Sequence, residues 1–199
     1  MVAYQKKLYI FNMRFSVKTN EPSVLCKVYS PQSGKFEKNI FLRENLHLEK
    51  AYEGNVDMIG RSSRFDISAD TIFLFNGAAR VFIELNMEGK VILREKLPYP
   101  ARTEIKKEDG TTVINNLDTY LCMKVLGKNV YTAFSKNMGV DKKLGGYIFK
   151  THLIQIPAKG KFSEKILDGQ YVFIGDHDGI LYLFNLDDYM VESIKIAGW

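Results

Sequence analysis

The sequence predicts an all-β fold, a β-propeller or a partial propeller of about four blades. Three observations carry that prediction. Four segments open with an apolar, aromatic-rich run: Leu8-Tyr9-Ile10-Phe11-Asn12, Ile72-Phe73-Leu74-Phe75-Asn76, Val130-Tyr131-Thr132-Ala133-Phe134 and Tyr171-Val172-Phe173-Ile174. Each leads into a second β-prone run, a tight turn and a third run. Helix-favouring stretches are almost absent. An antiparallel β-sandwich also shows many short strands between turns and stays as the alternative.

The opening runs are rich in β-branched and aromatic residues, which fit a pleated, packed surface. The second strands are expected at Ser23–Tyr29, Arg80–Leu85, Tyr147–Ile156 and Ile180–Leu186. Three of the following turns carry Gly-Lys, at Gly34-Lys35, Gly89-Lys90 and Gly160-Lys161. Glycine there supplies a positive φ at no steric cost. The fourth uses Asp187-Asp188. Third strands follow at Phe36–Leu42, Val91–Leu97, Phe162–Leu167 and Met190–Ile196. In the last unit, Gln170–Trp199, His177-Asp178-Gly179 forms the first turn.

A propeller blade has a fourth strand, innermost, before each opening run. Arg64–Ser68 and Tyr120–Leu126 fill that role for the second and third units. The first unit offers only a fragment and the fourth only Asp168-Gly169-Gln170, so two units are expected to lack a strand. Blade-like units at about 1–43, 59–98, 117–168 and 169–199, with a linker at 44–58, make one propeller-like domain over 1–199. Arg43–Tyr52, which overlaps that linker, has residues that favour one or two helical turns, and a plain link between two blades is the simpler reading. Met13–Pro22 lengthens a turn, Arg102–Asn116 reads as a hairpin extension about Glu108-Asp109-Gly110, and Lys136–Gly146 reads as a polar loop.

Composition narrows the function classes. Apolar residues make up 46% and charged residues 26%, and the net charge is +5. The lysines are scattered among acidic residues rather than gathered on one run, which argues against a nucleic-acid interface. No run approaches the length of a membrane-spanning helix, and the N-terminus lacks a signal-peptide pattern. The chain as it stands is expected in the cytoplasm, and in the envelope or periplasm if an N-terminal export segment precedes it. Cys26 and Cys122 both lie in apolar alternating runs, where cysteine behaves as a small buried hydrophobe. Either two free thiols or one disulfide fits the pair.

Candidate sites are few. Asp176-His177-Asp178-Gly179 resembles the opening of a calcium loop, whose oxygen ligands are spaced two apart. The rest of such a loop does not follow, and an Asp-Gly hairpin turn is the simpler reading. Arg61 and Arg64, with Ser62 and Ser63 between them, are the residue types that hold a carboxylate or phosphate at a channel mouth. An exposed polar loop is the simpler reading. Asp66 with Asp70, or Glu104 with Glu108, offers paired carboxylates, but pairing for acid–base work depends on a separation in space. Met123 and Met138 read as packing residues. No nucleophile elbow or phosphate-binding loop is present, so no catalytic residue, metal or cofactor is expected.

Tyr171–Ile196, with its core VFIGDHDGILYLFNLDD, resembles the blades of bacterial PQQ-like and NHL-like propellers. Ile72–Leu97 (IFLFNGAARVFIELNMEGKVILREKL) resembles the same unit, and Tyr120–Ile196 is similar to the C-terminal part of the TolB-like six-bladed propeller family. That resemblance implies an exported, bacterial protein. Six blades need about 250–300 residues at roughly 40–50 each, and 199 residues supply about four. The resemblance therefore implies a truncated chain, or one that completes its ring by self-association through open edges. The function expected is a non-catalytic binding or scaffold module that recognises a protein, peptide or glycan through its loops. The alternative is a hydrolase or lyase with its site in the central funnel, lined by residues such as Arg64 or Asp66.

Overall fold

The computed structural model describes residues 1–12, 23–44, 46, 48, 63–77, 79–108, 111–127, 129–143, 145–157 and 161–196, with backbone alone over 103–108 and 111–117. The described residues contain strands and no helix. The chain is all-β, and its strands form four separate antiparallel sheets of blade-like, propeller type rather than the two sheets of a sandwich. It divides into two compact units, Met1–Pro98 and Tyr99–Trp199.

The first unit holds two four-stranded meanders. One is β1 (Val2–Tyr4), β2 (Lys7–Phe11), β3 (Ser23–Tyr29) and β4 (Phe36–Leu42); the other is β5 (Ser63–Ser68), β6 (Thr71–Asn76), β7 (Val81–Asn86) and β8 (Val91–Lys96). Consecutive strands pair in sequence order, as short hairpin turns dictate. The central strands β6 and β7 are buried on both faces, which is why TIFLFN and VFIEL read as nearly continuous apolar runs. The outer β8 is mostly exposed and carries Arg94, Glu95 and Lys96. Leu25, Val28 and Ile40 of one sheet join Ile72, Leu74, Ile83 and Leu85 of the other in one apolar core. Phe11 stacks on Phe65 across it at 4.3 Å.

The expected fragment before the first unit is a complete strand, β1, so this sheet does not lack one. Its turn, Gln5-Lys6, has positive φ at both residues (45° and 57°). That is primed-turn geometry, which glycine or asparagine usually marks; without either, the hairpin leaves no sequence signature. Ala69-Asp70 repeats the device between β5 and β6, at 47° and 55°. The two turns meet: the Asp70 amide donates to Tyr4 Oη at 2.9 Å and Gln5 Nε2 donates to Asp70 Oδ1 at 3.1 Å.

Gly34 and Gly89 adopt positive φ at their expected turns, and Gly160 lies outside the described residues. Gly89 is also packed. A Cβ there would lie 1.9 Å from the Phe41 carbonyl oxygen. Arg43, just past β4, donates its amide to Gly89 O at 3.0 Å and its Nε to Glu88 O at 3.2 Å, pinning the chain against the β7–β8 turn. The expected helical turns at 43–52 and the insertion at 13–22 lie largely outside the described residues; Arg43 and Glu44 themselves are not helical.

The second unit holds a five-stranded sheet in the order β13-β12-β11-β10-β9 and a three-stranded sheet in the order β14-β15-β16. Their strands are β9 (Arg102–Glu108), β10 (Thr111–Leu126), β11 (Asn129–Val140), β12 (Tyr147–Ile156), β13 (Ser163–Asp168), β14 (Tyr171–His177), β15 (Ile180–Asn185) and β16 (Val191–Lys195). The fourth sheet has three strands, as expected. The expected Arg102–Asn116 hairpin extension is present as β9 and the first part of β10, with Glu108 paired to Thr111. Its second arm and the expected inner strand Tyr120–Leu126 are one 16-residue strand, β10. Register shifts at Asn116/Asp118 and Tyr120/Cys122 absorb the change in alternation. The expected loop Lys136–Gly146 is strand as far as Val140. One face of the five-stranded sheet packs on the three-stranded one through Ala133, Leu153, Tyr171, Leu183 and Ile194, with Cys122 and Phe173 against them.

Candidate functional site

The residues singled out from sequence do not form one site. Arg61 lies outside the described residues. Arg64 sits exposed on β5, its Nη1 donating to the Ser63 carbonyl at 3.0 Å. Asp66 Oδ1 accepts from the Ile67 amide at 2.8 Å, while Asp70 is held in its turn by Tyr4 and Gln5. The side chains of Glu104 and Glu108 lie outside the description. In the last unit, Asp178 and Gly179 have φ of 46° and 74° and form a two-residue hairpin turn between β14 and β15. Asp176 pairs with Lys124 Nζ at 2.7 Å. His177 and Asp178 are both largely exposed and lie 3.3 Å apart. Among the described residues, no group of three or more His, Cys, Asp or Glu side chains is placed to hold a metal ion. Cys26 and Cys122 are free thiols.

Sequence reasoning missed a cluster on the other face of the five-stranded sheet. Phe134 and His152 lie opposite each other on β11 and β12, and Tyr120 lies opposite Phe134 on β10. The Tyr99 ring stacks on Phe134 at 5.0 Å and tilts against His152 at 5.0 Å. Tyr99 Oη donates to Glu164 at 2.8 and 3.0 Å from its two oxygens, and His152 Nδ1 lies 2.6 Å from Glu164 Oε1. Tyr120 Oη bridges the backbone of Tyr99, accepting from its amide at 3.0 Å and donating to its carbonyl at 3.1 Å. Burial, then the bond to Glu164, pushes the Tyr99 phenol up to about 12. It therefore stays protonated at neutral pH as a donor. These groups satisfy one another, and the cluster latches the Pro98–Pro100 segment onto the sheet. Only the cross-strand register brings Glu164 on β13 within reach of His152, and no local motif signals it.

The second feature is the end of this sheet. The ladder between β10 and β11 stops at Asp118 opposite Lys136. The ladder between β12 and β13 stops at Lys150 opposite Asp168. Beyond those pairs, Asn137–Val140 and Tyr147–Phe149 form a ladder with each other, and Phe149 O at its base also accepts from the Gly169 amide at 2.9 Å. Likewise Thr111–Asn116 of β10 pairs only with β9. Because β10 and β11 are antiparallel, both two-stranded ribbons leave from the same end of the sheet, as the prongs of a fork. A charged row crosses its base in register: Arg102, Asp118, Lys136, Lys150 and Asp168. Arg102 Nε lies 3.0 Å from Asp118 Oδ2, the Asn137 amide donates to Asp118 Oδ1 at 2.9 Å, and Lys150 lies 3.2 Å from Asp168.

The β11–β12 prong is unusually apolar for its exposure. Met138, Val140, Tyr147 and Ile148 are 49%, 54%, 46% and 45% exposed. Three bonds hold its turn: the Asp141 amide donates to Gly146 O at 2.7 Å, Gly145 N to Asp141 O at 2.8 Å, and Lys143 N to Asp141 Oδ1 at 2.7 Å. Apolar side chains held in water on a well-formed ribbon are the arrangement of a docking element. No family model matches the sequence, and no curated protein matches it.

Proposed function

We propose that the chain is a non-catalytic binding or scaffold module of propeller type, kin to the TolB-like six-bladed propellers, that recognises a protein, peptide or glycan through its loop face. The fork of the second unit is the observation that carries this reading. It extends two ribbons past the sheet that anchors them, and rigid scaffolds carry recognition on such extensions. The blade resemblance of Tyr171–Ile196 and Ile72–Leu97 supports the family assignment. The polar groups of the types used in acid–base chemistry, Tyr99, His152 and Glu164, are engaged with one another, which supports a binding role over a catalytic one.

The test pans the full chain against a displayed peptide library and a glycan array. A variant with 104–115 replaced by a two-residue turn serves as counter-screen. Binders that enrich on the full chain and are lost on the shortened ribbon, with the melting profile unchanged, support the reading. Equal enrichment on both chains overturns it.

A further inference from the structure

We infer that the β11–β12 prong docks the protein on an anionic lipid surface, an interaction beyond partner recognition and independent of it. The apolar residues lie on both faces of the prong. Val140 and Tyr147 pair directly, and Phe149 shares their face, since strand residues two apart point the same way. Ile148 lies on the opposite face with Lys150 and Lys136. A protein partner covers one face of a ribbon, whereas a lipid interface surrounds both. The Tyr147 and Phe149 rings lie against each other at 6.2 Å, and tyrosine favours the headgroup boundary because one end is apolar and the other polar.

Charge selects the lipid. The apolar band is bracketed by lysines, Lys142 and Lys143 at the turn and Lys136 and Lys150 at the base. At the base Lys150 is paired with Asp168 and Lys136 lies opposite Asp118, while at the turn Asp141, whose Oδ1 accepts from the Lys143 amide, faces two lysines, so the turn carries the excess positive charge. A ribbon lying along the interface on its β12 edge would dip Tyr147 and Ile148, which point from opposite faces, below the headgroups, with Val140 beside Tyr147. Lys142 and Lys143 would reach phosphates by their flexible stems. The amides of Asp141, Lys143 and Gly145 are already paired, so immersion does not strand those three donors.

The test is flotation with vesicles of phosphatidylcholine alone and of phosphatidylcholine with phosphatidylglycerol. The full chain should bind the anionic vesicles and release in high salt. Replacing Lys142→Gln with Lys143→Gln should lower partitioning by about twenty-five-fold, at roughly five-fold per lysine. Replacing Val140→Ser with Tyr147→Ser should lower it further. Ile92→Ser, which removes an exposed apolar residue of the first unit, should change nothing. Tyr147→Trp provides a second readout that needs no loss of binding: its fluorescence should shift to the blue on anionic vesicles only. Three results would each overturn the inference: equal binding to neutral vesicles, no blue shift, or prong variants that keep vesicle binding yet lose the partners found by panning. The last would give the prong to a protein ligand.

Discussion

The two units share a strand meander but hold their sheets together by different forces. In the first, Leu25, Val28, Ile72, Leu74, Ile83 and Leu85 meet in a continuous apolar core between the sheets. In the second, among the described residues, the shared core is smaller, and polar residues bridge the sheets beside it. Thr151 Oγ1 donates to Gly169 O at 2.7 Å and accepts from the Tyr171 amide at 3.0 Å. Gln170 Nε2 donates to Ser135 Oγ at 2.9 Å. Within the three-stranded sheet, Tyr171 Oη donates to Glu192 while accepting from Asn185 Nδ2 at 3.1 Å. The first unit is thus governed by volume and close approach, and the second by whether every buried donor and acceptor keeps its partner. Hydroxyl and amide bridges are directional, so they tolerate shape changes less than apolar contacts but fix one sheet-to-sheet geometry.

Gly89→Ala separates the two regimes most sharply. Its methyl would meet the Phe41 carbonyl at a φ of +79°, and the expected cost is about 4 kcal/mol or more. Hydrogen exchange should accelerate across β3, β4, β7 and β8 while β14 and β15 are unchanged. Thr151→Val should act the other way round. It preserves volume but leaves a carbonyl and an amide unpaired in the second unit, a loss of about 2–4 kcal/mol, read in the exchange of the Tyr171 amide. A comparable loss from a volume-preserving change in the first core, such as Ile83→Leu, would break the distinction; about 1 kcal/mol is expected there.

Alkaline pH gives a third, smaller contrast. Burial pushes Tyr99 and Tyr171 up to about 12, with glutamate bonds adding to it. Below pH 10 both phenols are protonated in the folded and the unfolded chain, and their contribution is intact. As pH rises from 10 through about 12, the unfolded chain releases protons that the folded chain retains, so stability falls. Tyr99→Phe with Tyr171→Phe should flatten that decline in the second unit alone. In the first unit burial pushes Cys26 from 9.0 up to about 12, so Cys26→Ala should flatten a decline beginning near pH 9. Denaturant titrations at stepped pH, with exchange resolved by unit, report both slopes. The smallest effect belongs to Asp176→Asn, which breaks the part-exposed pair with Lys124. It should cost under about 1 kcal/mol and vanish at high salt in the same titrations.

Much of this molecule was legible because strands announce themselves locally. The runs at Ile72–Asn76, Ser23–Tyr29 and Tyr171–Ile174 became β6, β3 and the start of β14. The Asp-Gly and Gly-Lys turns at Asp178, Gly34 and Gly89 appeared where turn chemistry placed them. Elements without such marks were misread. The β1–β2 turn carries neither glycine nor asparagine. The long β10 hid its continuity behind two bulges, and β11 continued through polar residues that looked like loop. The candidate site was less legible still. Asp176 and His177 drew notice as a ligand-like run, yet the residues that gather in space, Tyr99, Tyr120, Phe134, His152 and Glu164, come from four strands and the segment that precedes them.

The sequence by itself determined the all-β class, the number of repeated units and most strand positions, because alternation, branching and turn residues act over a few neighbours. Only the tertiary structure decided which strand ends stay paired, and therefore that two ribbons leave one sheet end together. It also decided that the Thr151, Gln170 and Tyr171 polar groups join two sheets. Both depend on register between segments distant in the chain, and a one-residue slip in any ladder would turn the same side chains to the opposite face.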